Sequence, residues 1–346
     1  MSAADGRSAA DGTDAGGGPH GGDERSAQIP PAREGNLMTV AIATYNGREL
    51  LEAALASLAV QRFRDFRVLV VDDGSSDGTV TWLRESWPTV EVLSQRNAGV
   101  TAALNACLRA ARDTELVALF NNDVELDADC LGELVRALGE HPEAGSASPK
   151  LIDFERRDVL DGAGDMLSFR GHGHRRGHGE RDIGQYDEAE AIFGPCGGAA
   201  VYRRVALDDV GDLDEDFYAL FEDVDWALRA QLAGFQCRYV PSAVVYHMGS
   251  ATIGSGLTDF ARYHLWRNGV WLVVKGMPGA LLARHAHQLF AGQLVNLAVA
   301  MRDRKLHIWA RAWRDALAGL PRMLARRRRI QGARRVSPRE LESRLG

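Results

Sequence analysis

Four short clusters bring together residue types that do chemistry. In LFNNDVELDADCL an apolar run delivers Asp123, with Asn121 and Asn122 before it and Glu125 two residues on. Carboxylate and amide oxygens in this pattern suit Mg²⁺ or Mn²⁺ held jointly with phosphates. The same residues also read as an Asp-rich turn capping a helix that starts near Asp127. In VDDGSSDGT, Ser75, Ser76 and Thr79 have an ordinary explanation as helix caps. Two adjacent carboxylates, Asp72 and Asp73, do not, because they repel each other at a strand end. They are suited to grip a nucleotide base or a ribose hydroxyl. In FEDVDWALRAQLAG, Glu222 and Asp223 open a helix, where its dipole favours one of them and a base aimed at an acceptor hydroxyl is the functional reading. His247, at the end of VVYHMGS, reads either as a satisfied core or surface histidine or as a metal ligand.

These clusters fall where an alternating fold puts its ligands. MTVAIATYN, FRVLVVDD, VEVLSQ and ELVALFNND read as strands, with helices expected over 49–61, 79–86 and 99–112 between them. Strand, helix, strand at this spacing calls for a mostly parallel sheet with helices on both faces. Ligands of such sheets sit at the carboxyl ends of the strands. Thr44, Tyr45 and Asn46 follow the first strand, Asp72 and Asp73 the second, Arg96 and Asn97 the third, and Asn121 to Asp123 the fourth. The stretch 153–192 is irregular and predicts a loop-rich insertion or hairpins. GGAAVYRR and CRYVPSAVVYHMG read as later strands, and from Asp259 to about Arg329 the pattern is helical.

Composition bounds the rest. The 346 residues, 45% apolar and 25% charged, describe a soluble globular protein rather than a disordered or collagenous one. Residues 1–36 hold almost no bulky apolar side chains and predict a disordered leader. Cys107, Cys130, Cys196 and Cys237 contain no CxxC pair, which excludes a zinc knuckle and fits a reducing cytosol. No apolar run is long enough to span a bilayer, and no secretory signal is recognisable. The net charge of −6 gives no reason to expect nucleic acid as a partner. It is unevenly spread: fourteen Lys or Arg against four acidic residues make 302–346 carry +10.

Taken together, VAIATYNG, VDDGSSDGT, QRNAGVTAALNACL, LFNNDVELD, CGGAAVYRR, FEDVDWALRAQLAG and VVYHMGS resemble glycosyltransferase family 2 of the GT-A fold. The resemblance is strongest to bacterial rhamnosyltransferase-like and galactofuranosyltransferase-like enzymes of cell-surface polysaccharide synthesis. It implies an α/β, doubly wound GT-A domain over 37–256 and a helical, basic extension over 257–346. It implies an inverting, metal-dependent transfer from a nucleotide sugar, dTDP-L-rhamnose first and a UDP-sugar second, to a glycan or lipid-linked glycan. An inactive nucleotide-sugar-binding scaffold is the contrasting reading. By resemblance Asp73 and Asp72 hold the base, with Thr44, Tyr45, Asn46, Arg96, Asn97, Gly99, Asn121 and Asn122 around the nucleotide. Asp123 and His247 are the Mg²⁺ or Mn²⁺ ligands. Asp223, with Glu222, supplies the catalytic base, and Gly197, Gly198 and Trp226 face the acceptor. Asn121 stands where the family's metal motif has its first carboxylate, so this chain brings less charge to the ion.

Two further features complete the expectations. GHGHRRGHG places His172, His174 and His178 in a glycine-rich stretch, read as a mobile loop beside the acceptor site rather than a metal cage. In the basic tail Trp309, Trp313, Leu317, Leu320 and Leu324 recur at near-helical spacing beside an RRRR run. This predicts an interfacial helix on anionic lipid, with Pro321 ending or kinking it and freeing the arginines. The expected location is the inner face of the cell membrane, and a homo-oligomer is left open.

Overall fold

A computed structural model describes residues 28–249 and 258–345. The first strands, β1 (Met38–Thr44) and β2 (Phe66–Asp72), are apolar on both faces and almost wholly buried. That is what a parallel sheet covered on both sides requires. Between and after them come α1 (Arg48–Ala59), α2 (Thr79–Ser86), β3 (Glu91–Ser94), α3 (Val100–Ala110), β4 (Leu116–Phe120), β5 (Val124–Leu126) and α4 (Cys130–Glu140). Next are β6 (Ala144–Asp153), β7 (Leu160–Gly162), β8 (Asp165–Leu167), β9 (Gly173–Arg175), β10 (Ala191–Ile192) and β11 (Ala199–Arg203). The chain continues through α5 (Arg204–Val210), α6 (Glu222–Ala233) and β12 (Gln236–His247). It ends in α7 (Asp259–Gly276), α8 (Gly279–Arg284), α9 (Ala286–Arg302), α10 (Leu306–Ala333) and α11 (Pro338–Glu342).

The main sheet has the order β10-β12-β6-β11-β4-β1-β2-β3. Its β4-β1-β2-β3 half is parallel, as the alternation predicts. The other half is mixed, because β11 runs antiparallel to both β4 and β6 while β12 lies parallel to β6. Leu51, Leu55, Leu131 and Leu134 of α1 and α4 cover one face. Cys107 and Leu108 of α3, Ala206 of α5 and Trp226 of α6 cover the other. The irregular stretch resolves into β7 on the edge of β6, a β8–β9 hairpin and the short β10.

Three local expectations are corrected. The helix expected near Asp127 begins at Cys130, since Val124–Leu126 first pairs with β12. Most of the expected disordered leader, residues 1–27, lies outside the described residues. Residues 28–36 belong to the fold: Ile29 is 1% exposed and packs in the main core, the one place where that segment offers a bulky apolar side chain. Finally, Pro321 sits inside α10, which runs on to Ala333. The carbonyl its missing N–H releases is that of Leu317, an exposed residue, where water can satisfy it.

The C-terminal helices brace α6. Phe217, Phe221, Leu228, Trp271, Leu272, Ala316 and Met323 form one buried cluster. Ala312, Ala316, Gly319 and Met323 are the buried residues of α10, and the first three are small enough to allow close packing on α7. Within this interface Lys275 Nζ lies 2.5 Å from Asp214 and 2.6 Å from Asp225. Asp225 also accepts from Arg229, so Lys275 ties α7 into a charge network rather than carrying either carboxylate alone. Arg326 pairs with Asp214 and Asp216, and Arg327 donates to the carbonyls of Val274 and Met277. Half of the RRRR run is therefore bound to the protein rather than free.

Candidate active site

The parallel register of β1, β2 and β4 brings Thr44, Asp72 and the Asn121–Asp123 turn to one edge of the sheet. Asp73 and Asn46 turn out to be braces there. Asp73 accepts from Gln95 Nε2 and from the backbone N–H of Ala98 and Gly99, at 2.7 to 3.0 Å, and so pins the loop entering α3. Asn46, at φ 48°, accepts from the Ser76 N–H and donates its own N–H to Ser75. Asp72 accepts from the N–H groups of Gly74 and Ser75 through one oxygen, leaving its buried Oδ1 without a partner. Of the two adjacent carboxylates, Asp72 keeps the spare acceptor. Asn122 donates to Thr44 Oγ1 at 3.0 Å, and the Asn121 N–H donates to the Gly198 carbonyl. Tyr45, Arg96 and Asn97 are exposed around this edge, and Gly99, at φ 92°, lies under the ring of Tyr218.

β12 closes the site from the other half of the sheet. Its last residue, His247, is opposite Val124 of β5, and the Met248 N–H donates to the Asp123 carbonyl. His247 Nε2 consequently stands 3.3 Å from Asp123 Oδ1. Both atoms are buried, and neither has an aligned hydrogen-bond partner. The other ring nitrogen, Nδ1, lies 2.8 Å from Asp161 Oδ2. Burial opposes a charged imidazole, but the carboxylates of Asp123 and Asp161 outweigh it and push the His247 pKa up to about 9. Asp161, on β7, also accepts from Arg175 at 2.5 Å, and His178 Nδ1 lies 2.9 Å from its carbonyl.

The base half is set by strain. Tyr218, Leu220 and Phe221 all adopt positive φ, of 64 to 71°, just before α6. Such backbone persists only where its surroundings fix it. Asn268 of α7, fully buried, donates to the carbonyls of Phe217, Ala219 and Leu220. Glu222 and Asp223 follow at the helix start. Burial pushes Glu222 up to about 8, with the Asp223 charge adding to it. Asp223 is raised for the same first reason, tempered by the Val224 N–H and the Arg175 charge. A further buried carboxyl, Asp165, is also pushed up to about 8 by burial and by Asp223. A methyl group at Gly197 would run into Asp223 Oδ2, and one at Gly198 would stand 3.4 Å from His247 Nε2. The two glycines thus give the two halves room.

Some expectations move. Trp226 is 1% exposed, donates to the Gly211 carbonyl and packs edge-on to Tyr202. It is a core residue and does not face an acceptor, because the helical turn that exposes Asp223 turns Trp226 inward. The stretch read as a mobile histidine loop forms the ordered β8–β9 hairpin, in which His174 is exposed and His172 half-buried. Among the described residues no three His, Cys, Asp or Glu side chains converge as a ready-made metal cage. Sequence reading missed Asp161, Asp165 and Arg175. The signal was LDGAGD, two carboxylates between apolar residues and glycines in a segment without period.

The donor set fits a divalent ion that completes its shell elsewhere. Two buried, converging, unpartnered ligand atoms are in place, while the remaining positions are left to phosphate and water. A mixed α/β sheet with such a pocket beside a half-buried carboxylate pair at a helix start defines a glycosyltransferase of the GT-A class. The chain belongs to glycosyl transferase family 2, whose model matches residues 39–211. It is 32% identical over 235 residues to an uncharacterised protein of Sinorhizobium fredii, covering 63% of this chain and 25% of that one, so it spans a quarter of that relative's length. It is 29% identical over 261 residues to the N-acetylglucosaminyl-diphospho-decaprenol L-rhamnosyltransferase of Mycobacterium tuberculosis, covering 66% and 82% respectively. Among solved structures, GalNAc-T7 with UDP, GalNAc and Mn²⁺ shares the fold at TM-score 0.60 and 14% identity, over 77% of this chain and 52% of that one.

Proposed function

We propose that this glycosyltransferase is inverting and divalent-metal-dependent, and that it moves L-rhamnose from dTDP-L-rhamnose to a hydroxyl of a glycan or lipid-linked glycan. The observation that carries the reading is the pairing of the Asp123–His247 pocket with the raised carboxylate Asp223 across Gly197 and Gly198. The rhamnosyltransferase relative supports the sugar and a lipid-linked acceptor. Asp123 Oδ1 and His247 Nε2 would hold Mg²⁺ or Mn²⁺, which when bound neutralises charge on the departing diphosphate. Asp72, whose Oδ1 keeps a spare acceptor, would grip the base, with Asp73 bracing the loop into α3 and Tyr45, Arg96 and Asn97 at the rim. Asp223 takes the proton from the acceptor hydroxyl, and attack from the face opposite the leaving group inverts the anomeric carbon. The raised Asp223 is a stronger base than an exposed aspartate.

A donor panel tests this reading. Thermal shift with dTDP-, UDP- and GDP-sugars, with and without Mn²⁺, should show metal-dependent stabilisation by dTDP-L-rhamnose, since selective binding to the native state raises its stability. Stabilisation by a UDP-sugar alone would move the assignment to a galactofuranosyl or other hexosyl transfer.

The same reading places the enzyme at the inner face of the membrane. No helix among the described residues is long and apolar enough to cross one. Phe290, Leu294, Val295 and Met301 of α9 and Leu306, Leu317 and Leu324 of α10 are each 47 to 66% exposed, next to the basic tail. Apolar side chains with flanking cations suit an anionic interface. Phosphatidylglycerol vesicles should pellet the protein at low salt and release it at high salt, and Phe290→Ser with Leu294→Ser should weaken pelleting. Failure to pellet at any salt would remove the membrane from the reading.

A further inference from the structure

We propose that Asp161 is a positioning residue that fixes the ring orientation and tautomer of His247, and that Arg175 holds Asp161 in place for that task. The inference rests on the metal-dependent reading above. An ionised carboxylate only accepts hydrogen bonds, so at 2.8 Å from Asp161 Oδ2 the Nδ1 of His247 carries a proton, whichever way Nε2 is occupied. Nε2 is then the ring atom turned to Asp123 Oδ1, 3.3 Å away, and its proton is the one a bound cation would displace. Histidines that ligate metals characteristically donate their other N–H to a carboxylate in this manner.

Asp161 is itself firmly held. Its side chain is 8% exposed, it accepts from Arg175 at 2.5 Å, and its two neighbours, Leu160 and Gly162, pair with β6. Arg175 ends the β8–β9 hairpin, which gives the glycine-rich GHGHRRGHG segment a role beside the site. Its guanidinium also acts on Asp165 and Asp223, so one side chain supports both halves.

The test measures Mn²⁺ binding by electron paramagnetic resonance, with dTDP or UDP, whichever raises the melting temperature. Wild type, Asp161→Asn, His247→Ala and Asp123→Ala are compared, each checked for folding by circular dichroism. An asparagine can donate to Nδ1 and so favours the opposite tautomer. Asp161→Asn is expected to weaken Mn²⁺ binding about 10- to 100-fold while leaving metal-free nucleotide binding unchanged. A merely structural aspartate would lower the melting temperature without moving Mn²⁺ affinity in the folded enzyme. Wild-type Mn²⁺ affinity in Asp161→Asn, alongside loss in His247→Ala, overturns the positioning role alone. Unchanged affinity in both His247→Ala and Asp123→Ala overturns the metal reading and this role with it. Should Asp161→Asn not fold, ¹⁵N NMR of wild type with Mg²⁺ and nucleotide decides: a proton on Nδ1 is expected, and one on Nε2 refutes the proposal.

Discussion

At the end of the site closed by β12, acidic and basic groups alternate: Asp123, His247, Asp161, Arg175. At the end opened by α6, the half-buried Glu222 and Asp223 and the buried Asp165 gather, with the charge of one guanidinium acting on two of the three. The first arrangement keeps Asp161 ionised. Burial alone would raise Asp161, yet His247 and Arg175 hold it below the ordinary range. In the second, burial raises all three, and like charges add to it at Glu222 and Asp165. One end is built to hold a cation and the other to hold and release a proton.

The largest expected effect breaks the proton end alone. Asp223→Asn should cut turnover by about 10²- to 10⁴-fold, the usual worth of a positioned base, with donor affinity and metal titration unchanged. Turnover above about a tenth of wild type would remove Asp223 from the role. Asp123→Ala or His247→Ala should do the reverse, raising the metal concentration for half-maximal activity by about tenfold or more. Because both are proposed to ligate one ion, the double variant should fall short of the summed effects. An unmoved metal titration in His247→Ala would make that histidine a core residue.

A smaller pair of changes separates the ends within two adjacent residues. Gly197→Ala pushes a methyl into Asp223 Oδ2 and should lower turnover at constant metal dependence. Gly198→Ala meets His247 at an ordinary contact distance and should leave the base untouched, shifting only the metal titration. Equal effects of both on both readouts would mean that the ends are not separable.

The parallel half of the sheet and its polar strand ends were legible because apolar runs, turn formers and helix periodicity coincide from Met38 to Asp123. Asp123, Asp223 and His247 stand out for the same reason: each ends or begins a regular element. Asp161, Asp165 and Arg175 were not legible. They lie in three-residue strands, and strands that short carry no period to read. Trp226 misled because its neighbour in sequence, Asp223, belongs to the site while Trp226 sits on the inward face of α6. Pro321 misled because the rule against interior proline is weaker where the freed carbonyl faces solvent.

The gentlest test uses stability rather than turnover. Asp165 has an ordinary value of 3.8 and is held at about 8 in the fold. Between those values the unfolded chain releases the proton and the native protein keeps it, so the native state binds more protons and its stability falls as pH rises. The contribution is fully present below about pH 4 and lost by about pH 8. Asp165→Asn keeps the shape and removes the titration. Its melting temperature relative to wild type should therefore climb steadily from pH 5 to pH 8, and more steeply than that of Asp161→Asn, whose carboxylate is lowered rather than raised. Glu222→Gln should climb likewise, from its ordinary 4.5 toward 8. A flat difference across this window for both variants would mean that the carboxyls of α6 and β8 ionise normally, and the contrast between the two ends of the site would then rest on geometry alone.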